Sequence, residues 1–180
     1  GTLRTFDVGD FDENEMCLDV RHRPESGTPL KNKQAAERSI AVGSHYCDVI
    51  RDYLSHNRHS LTDDHGRRPL ITSNQGRLSE NSIRENVYRV TQPCEFGDCP
   101  HGEDPRTCEA RQHGNRAKCP SSMSPHAIRR GSITDRLRNG TPQTVVSERA
   151  NVSGEIIDQH YDERSEREKM RLRRELLQGE

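Results

Sequence analysis

SPHAIRRGSITDRL, residues 124–137, reads as a helix with its own start signal and a cationic face. Ser124 is a capping residue and Pro125 is tolerated in a first helical turn. The helix is expected to run to about Arg138 and stop at Asn139-Gly140. His126 and Arg129 stand three apart and so share a face. An imidazole beside a planar guanidinium fork grips a phosphate well, although an H-x-x-R pair alone is a weak signal, and its bland reading is a solvated helix surface. Thr141-Pro142 opens a second short helix to about Ala150, and Ser153 caps a third carrying Ile156, Ile157 and Tyr161. Tyr161, in DQHYDER (158–164), would ordinarily be helix packing. With H-x-x-R upstream it reads as a nucleophile. A charged helix over 163–178 follows, with Met170, Leu172, Leu176 and Leu177 as its only apolar grip.

The segment before this region, residues 92–121, is of a different kind. It holds Cys94, Cys99, Cys108 and Cys119, with His101 and His113 available, and almost nothing apolar. Four thiols in a stretch that cannot build a core are best explained by structural zinc, whose binding free energy becomes folding free energy. His101 can replace one Cys. The spacing is looser than paired C-x2-C motifs, so a disulfide or redox pair and inert thiols stay open. Cys17 and Cys47 fall in predicted core elements and read as small apolar residues.

Towards the N-terminus, CLDVRHR (17–23) and RSIAV (38–42) are short β-type runs around a long Pro-, Gly- and Lys-containing turn, which predicts a hairpin. Ser44 is expected to cap a helix over 45–58 with Val49, Ile50, Tyr53 and Leu54 on its apolar face. A strand is expected at Leu70–Thr72. Ser79 opens a further helix in which Ile83, Val87 and Val90 recur at helical spacing.

The whole chain has 180 residues, 28% of them apolar and 4% aromatic, with no Trp. Such a core is thin for a globular domain. Yet 28 basic residues nearly cancel 29 acidic ones to leave a net charge of −1, which argues against the disordered class. No apolar run approaches the ~18 residues of a membrane span and no signal peptide opens the chain, so membrane and secreted readings are set aside and a cytoplasmic protein with no membrane partner is expected. The charges are segregated. Residues 1–20 carry six acids against Arg4, whereas 126–149 carry Arg129, Arg130, Arg136, Arg138 and Arg149 against Asp135 and Glu148. A local basic stretch suits a phosphate-binding face. The chain opens at Gly1, on what reads as the end of a helix and a strand, and so looks like a fragment or processed product.

SPHAIRRGSIT (124–134), SERANVS (147–153) and HYDERSEREKM (160–170) resemble the catalytic domain of tyrosine recombinases, the phage integrase family, in particular its haloarchaeal type. GTLRTFDVGDFD at the start resembles the stretch after that family's first catalytic Arg, and HRPESGTPLKNKQAAERSIAV (22–42) resembles the hairpin that bears the catalytic Lys. The resemblance covers 1–180 and implies an α+β, mainly α fold: a small N-terminal antiparallel sheet packed on a helical bundle, with 92–121 as a Cys-rich insertion. It places the family's H-x-x-R on His126 and Arg129, its nucleophile on Tyr161 and its hairpin lysine on Lys31 or Lys33. Arg149 stands where the family usually has a second His or a Trp. The first catalytic Arg would fall two residues before Gly1.

The implied chemistry is metal-free phosphoryl transfer. Tyr161 attacks a DNA phosphodiester to give a 3′-phosphotyrosyl link, and the link conserves the bond energy, so no ATP is needed. A phenol ionises near ~10, so it must lose its proton during attack, with His126 as helper. The arginines stabilise the transition-state charge and the lysine protonates the leaving 5′-oxygen. Arg130, Arg136 and Arg138 are candidates for backbone-phosphate contacts. Double-stranded DNA is the expected partner, bound by a homo-oligomer, with the terminal helix docking on a neighbouring copy. With an arginine missing, the piece is expected to cleave weakly. A non-catalytic DNA-binding remnant is the alternative, and a thiol-based redox protein a distant third. Zinc is expected to order the insertion and steady the H-x-x-R helix, with no part in the chemistry.

Overall fold

The computed structural model describes residues 1–178. The chain divides into two compact units, Gly1–Asn86 and Val87–Glu180, and each has its own apolar core.

In the first unit a single helical turn, α1 (Thr2–Thr5), precedes a three-stranded antiparallel sheet in the order β1 (Phe11–Asp12), β2 (Cys17–Val20), β3 (Arg38–Ala41). The expected hairpin is present: Leu18 faces Ile40 and Val20 faces Arg38. β1 was not foreseen, because two residues are too short to show an alternating pattern. Helix α2 (Ser44–Asp52) passes into a wider π-type turn at Tyr53–Asn57. Its N-cap is Gly43, not the expected Ser44, whose side chain lies inside the first turn and caps nothing. Ile50 and Leu54 pack against Phe6, Val20, Leu30, Ala36 and Leu70. Cys47 is buried on this side and Val49 is exposed, since 47, 50 and 54 share one helix stripe and 49 leaves it. The strand expected at Leu70–Thr72 begins only at Thr72: β4 (Thr72–Ser73) pairs with β5 (Gly76–Arg77), and Leu70 sits in the core with its N–H on the Phe6 carbonyl at 2.9 Å.

Beside this small core lies a network of paired charges. Asp7 accepts from Arg67 Nε at 2.7 Å and pairs with Arg77, which also reaches Asp63 at 2.8 Å. Arg23 grips both oxygens of the buried Asp10. Satisfied, such a network is close to neutral for stability, but removing one member strands an uncompensated charge. Helix α3 (Glu80–Val90) is started by Ser79, whose Oγ accepts from the Ser82 N–H at 3.0 Å. Ile83 and Val87 are half-buried, but Val90 is exposed and Glu85 is buried in its stead.

In the second unit, residues 93–121 contain short 3₁₀ turns and neither α-helix nor strand. The two ends of this loop meet: Thr91 Oγ1 accepts from the Met123 N–H at 2.8 Å. Helices α4 (Pro125–Arg138), α5 (Gln143–Ala150) and α6 (Gly154–His160) follow at the expected positions. Gly140, at φ 79°, permits the left-handed turn that stops α4, and Asn151, at φ 50°, ends α5 in the same way. Ile133, Leu137, Val146, Ile157 and Tyr161 form the core of these three helices. Helix α7 (Glu166–Gln178) begins with a reciprocal cap: Ser165 N–H donates to Glu168 Oε2 at 2.7 Å and Ser165 Oγ accepts from the Glu168 N–H. Of its four expected anchors only Leu172 is half-buried, and Met170, Leu176 and Leu177 are exposed. Among the described residues no helix is long and apolar enough to cross a membrane.

Candidate active site

Ser124 fixes the start of α4, its Oγ accepting from the Ala127 N–H at 3.1 Å. One turn on, His126 is exposed and Arg129 half-buried. Arg129 crosses to α5, where Nη2 donates to the Ala150 carbonyl at 2.6 Å. The guanidinium thereby satisfies an orphan carbonyl at a helix C-terminus while its other N–H groups remain able to donate.

Tyr161 closes α6. Its ring lies 6.2 Å, centroid to centroid, from the His126 ring at an interplanar angle of 57°. The structure therefore brings together the two residues that the sequence placed 35 positions apart. The tyrosine is 7% exposed and packs with Ile133, Leu137, Val146 and Ile157. Both ends of its backbone are held: its N–H donates to the Ile157 carbonyl at 2.9 Å, and its carbonyl accepts from buried Thr134 Oγ1 at 2.8 Å.

The next residue anchors the turn. The Asp162 side chain is 1% exposed and receives Arg164 Nε at 2.8 Å and Nη2 at 2.9 Å, with Lys169 Nζ at 3.3 Å. These donors, Arg164 foremost, hold its carboxyl well below the usual carboxylate range. Arg164 also donates to the Leu137 carbonyl at 3.0 Å, tying the turn to α4. Thr134, Asp162 and Arg164 escaped the sequence reading. Thr134 is one polar residue on an apolar stripe, and the charges of Asp162 and Arg164 look like surface in DER.

Arg149 is half-buried, and burial first, then the nearby positive charge of Arg136, lowers its ionisation below the ordinary guanidinium value. Arg130 pairs with Glu163 at 2.9 Å, and Arg138 approaches Glu168 at 4.0 Å, so these two phosphate-contact candidates engage acids of their own chain. Lys31 and Lys33 belong to the first unit. Both are exposed in the β2–β3 connection, Lys33 with φ 51°.

The four cysteines of 92–121 carry free thiols, Cys119 buried and the others half-buried, and with His101 they line one cavity of about 310 Å³. As they stand, among the described residues no three His, Cys, Asp or Glu side chains converge closely enough to hold a metal ion. Cys47 is buried as expected. Cys17 is half-buried, and burial and the Asp19 carboxylate push its thiol up.

No protein-family model matches the chain, and no curated protein sequence matches it. Solved structures do. XerA recombinase matches over 96% of this chain and 50% of its own, at 19% identity and a TM-score of 0.60. The Tn1549 transposon integrase matches as an R225K variant in complex with a circular intermediate DNA, over 97% of this chain and 53% of its own, at 13% identity and a TM-score of 0.64. Its Y379F variant in complex with transposon right end DNA matches at 11% identity and a TM-score of 0.61. The fold is that of the tyrosine recombinases. The chain spans about half the length of these structures.

Proposed function

We propose that this chain carries out site-specific DNA recombination through a 3′-phosphotyrosyl intermediate on Tyr161, in the manner of the haloarchaeal integrases its sequence resembles. The observation that supports this best is the meeting of His126 and Tyr161, from separate helices, beside Arg129 in a recombinase fold. Tyr161 Oη attacks the phosphorus and the P–O5′ bond breaks. The phenolic proton passes to His126 or to water, and the 5′-oxygen takes a proton from Lys31 or Lys33. The charge gathered on the non-bridging oxygens falls to Arg129 and Arg149. Attack by a 5′-hydroxyl of the partner strand reverses the step and reseals the joint. Because the ring is 7% exposed, it must turn out of its packing when duplex docks. Exchange between two duplexes requires several copies of the chain on double-stranded DNA, and a role on DNA places the protein with the nucleoid.

That burial of Tyr161 also favours a second reading, in which the basic face binds DNA and no strand is cut. The two readings separate in one experiment. The protein, expressed from its own reading frame, is incubated with a random-sequence pool of nicked duplexes, and SDS-stable adducts are recovered. The first reading expects a protease-sensitive adduct that maps to Tyr161 and vanishes in Tyr161→Phe. Salt-dependent binding with no adduct on any duplex establishes the second.

A further inference from the structure

We infer that residues 92–121 form a zinc module, with the thiolates of Cys94, Cys99, Cys108 and Cys119 as ligands. The inference stands apart from the recombinase reading. Three observations converge on it.

The first is placement. The four thiols form no disulfide and, although spread over 26 residues of chain, all line one cavity of about 310 Å³. The other two cysteines, Cys17 and Cys47, belong to the other unit.

The second is the lack of any other reason for the segment to fold. Among residues 93–121 only Ala110 and Cys119 are buried, and Phe96, its one aromatic, is 81% exposed. A chain of turns with so little apolar burial does not offset its ordering entropy.

The third is the polar lining of the cavity. Gln92 is 1% exposed, and its Nε2 donates to the carbonyls of Ala110 at 2.7 Å and Arg116 at 3.2 Å. Its Oε1 is buried with no partner. A cation lies beside the sulfurs, which would leave a net negative charge around Zn²⁺: Arg111 Nη1 is 3.9 Å from Cys94 Sγ and is itself fixed by Glu95 at 2.6 Å, while Lys118, on the same cavity, pairs with Glu109.

The sulfurs surround the cavity without closing on a point. A tetrahedral centre with Zn–S near ~2.3 Å therefore forms by drawing the turns inward. On binding, each S–H loses its proton to solvent and no electron is transferred. His101, whose Nε2 is 2.9 Å from Ser121 Oγ, is not needed as a ligand in this assignment.

The test uses the full chain purified under reducing conditions. Elemental analysis is expected to give one zinc per chain, and Co²⁺ exchange to give the intense visible bands of a tetrahedral thiolate site. Chelation is expected to raise the accessible thiols by four and to raise hydrogen exchange across 93–121, with α6 amides unchanged. Cys108→Ser loses the metal, whereas Cys47→Ser and His101→Ala keep it. Absence of zinc, with all four thiols reacting at the free-cysteine rate after Zn²⁺ addition, overturns the inference, as does a Cys94–Cys119 disulfide that resists mild reductant. His101→Ala supplies a check that does not depend on how Cys108→Ser folds: loss of metal there refutes the four-thiolate assignment.

Discussion

Asp162→Asn tests whether the residue after Tyr161 holds the candidate nucleophile in place. The carboxylate accepts three N–H bonds from Arg164, two from the guanidinium at 2.8 and 2.9 Å and one from the backbone at 3.1 Å, and a longer one from Lys169 at 3.3 Å, with its side chain 1% exposed. Hydrogen bonds to charged groups contribute about 1.5–3 kcal/mol each. Asn keeps one acceptor, turns an NH₂ towards a guanidinium and removes the charge. The expected loss is about 2–4 kcal/mol, which lowers the Tm by about 10–25 °C if Val87–Glu180 melts as its own unit. The pH dependence has a definite sign. The folded carboxyl is held below its unfolded value, so its contribution is full above about pH 4 and fades as pH falls through the depressed folded value. Urea melts from pH 7 down to 2, read by hydrogen exchange at the Ile157 and Tyr161 amides, should show wild type and variant converging at the acid end. A difference below about 0.5 kcal/mol at pH 7, or one that stays constant across this range, refutes the reasoning.

Other outcomes are expected from the same structure. Asp7→Ala takes away the carboxylate that Arg67 pairs with and leaves Arg77 with Asp63 alone, and should destabilise Gly1–Asn86 by about 3 kcal/mol in denaturant melts. Ser124→Ala removes the cap of α4 and should cost about 1 kcal/mol, read as faster exchange of the Ala127 amide. Arg129→Lys loses the planar fork and the bond to Ala150, and the rate of adduct formation should fall by about 10²–10³ with DNA affinity little changed. Arg130→Ala, by contrast, breaks only an exposed pair with Glu163, and stability should move by less than about 1 kcal/mol.

What was legible in the sequence was local. The start of α4 at Ser124-Pro125 and its stop at Asn139-Gly140 are written in adjacent residues, and so is the alternation of β2 and β3. Where local signals competed, one lost. Ser44 looked like a cap, but the Tyr46 and Cys47 N–H groups bond to the Gly43 carbonyl, so the helix begins a residue earlier. The charge network around Asp7 was invisible because Arg67 and Arg77 lie 60 and 70 positions away. At the candidate site, H-x-x-R and the tyrosine were recognisable by type and order. Their meeting through the His126–Tyr161 ring contact, and the support from Thr134 and Asp162, depend on how three helices pack, which no spacing rule encodes.

The hydrogen bond between Thr91 and Met123 means that the chain departs from the second unit and rejoins it at one point. Mechanically the intervening residues hang from the body as a handle whose two roots touch. A short turn bridging those roots would leave the entry to α4 where it is. Doubling or halving the handle alters closure entropy by only about 0.6 kcal/mol. This is a natural place to cut, to exchange the module for another, or to fuse a reporter, with the helix bearing His126 and Arg129 kept in register.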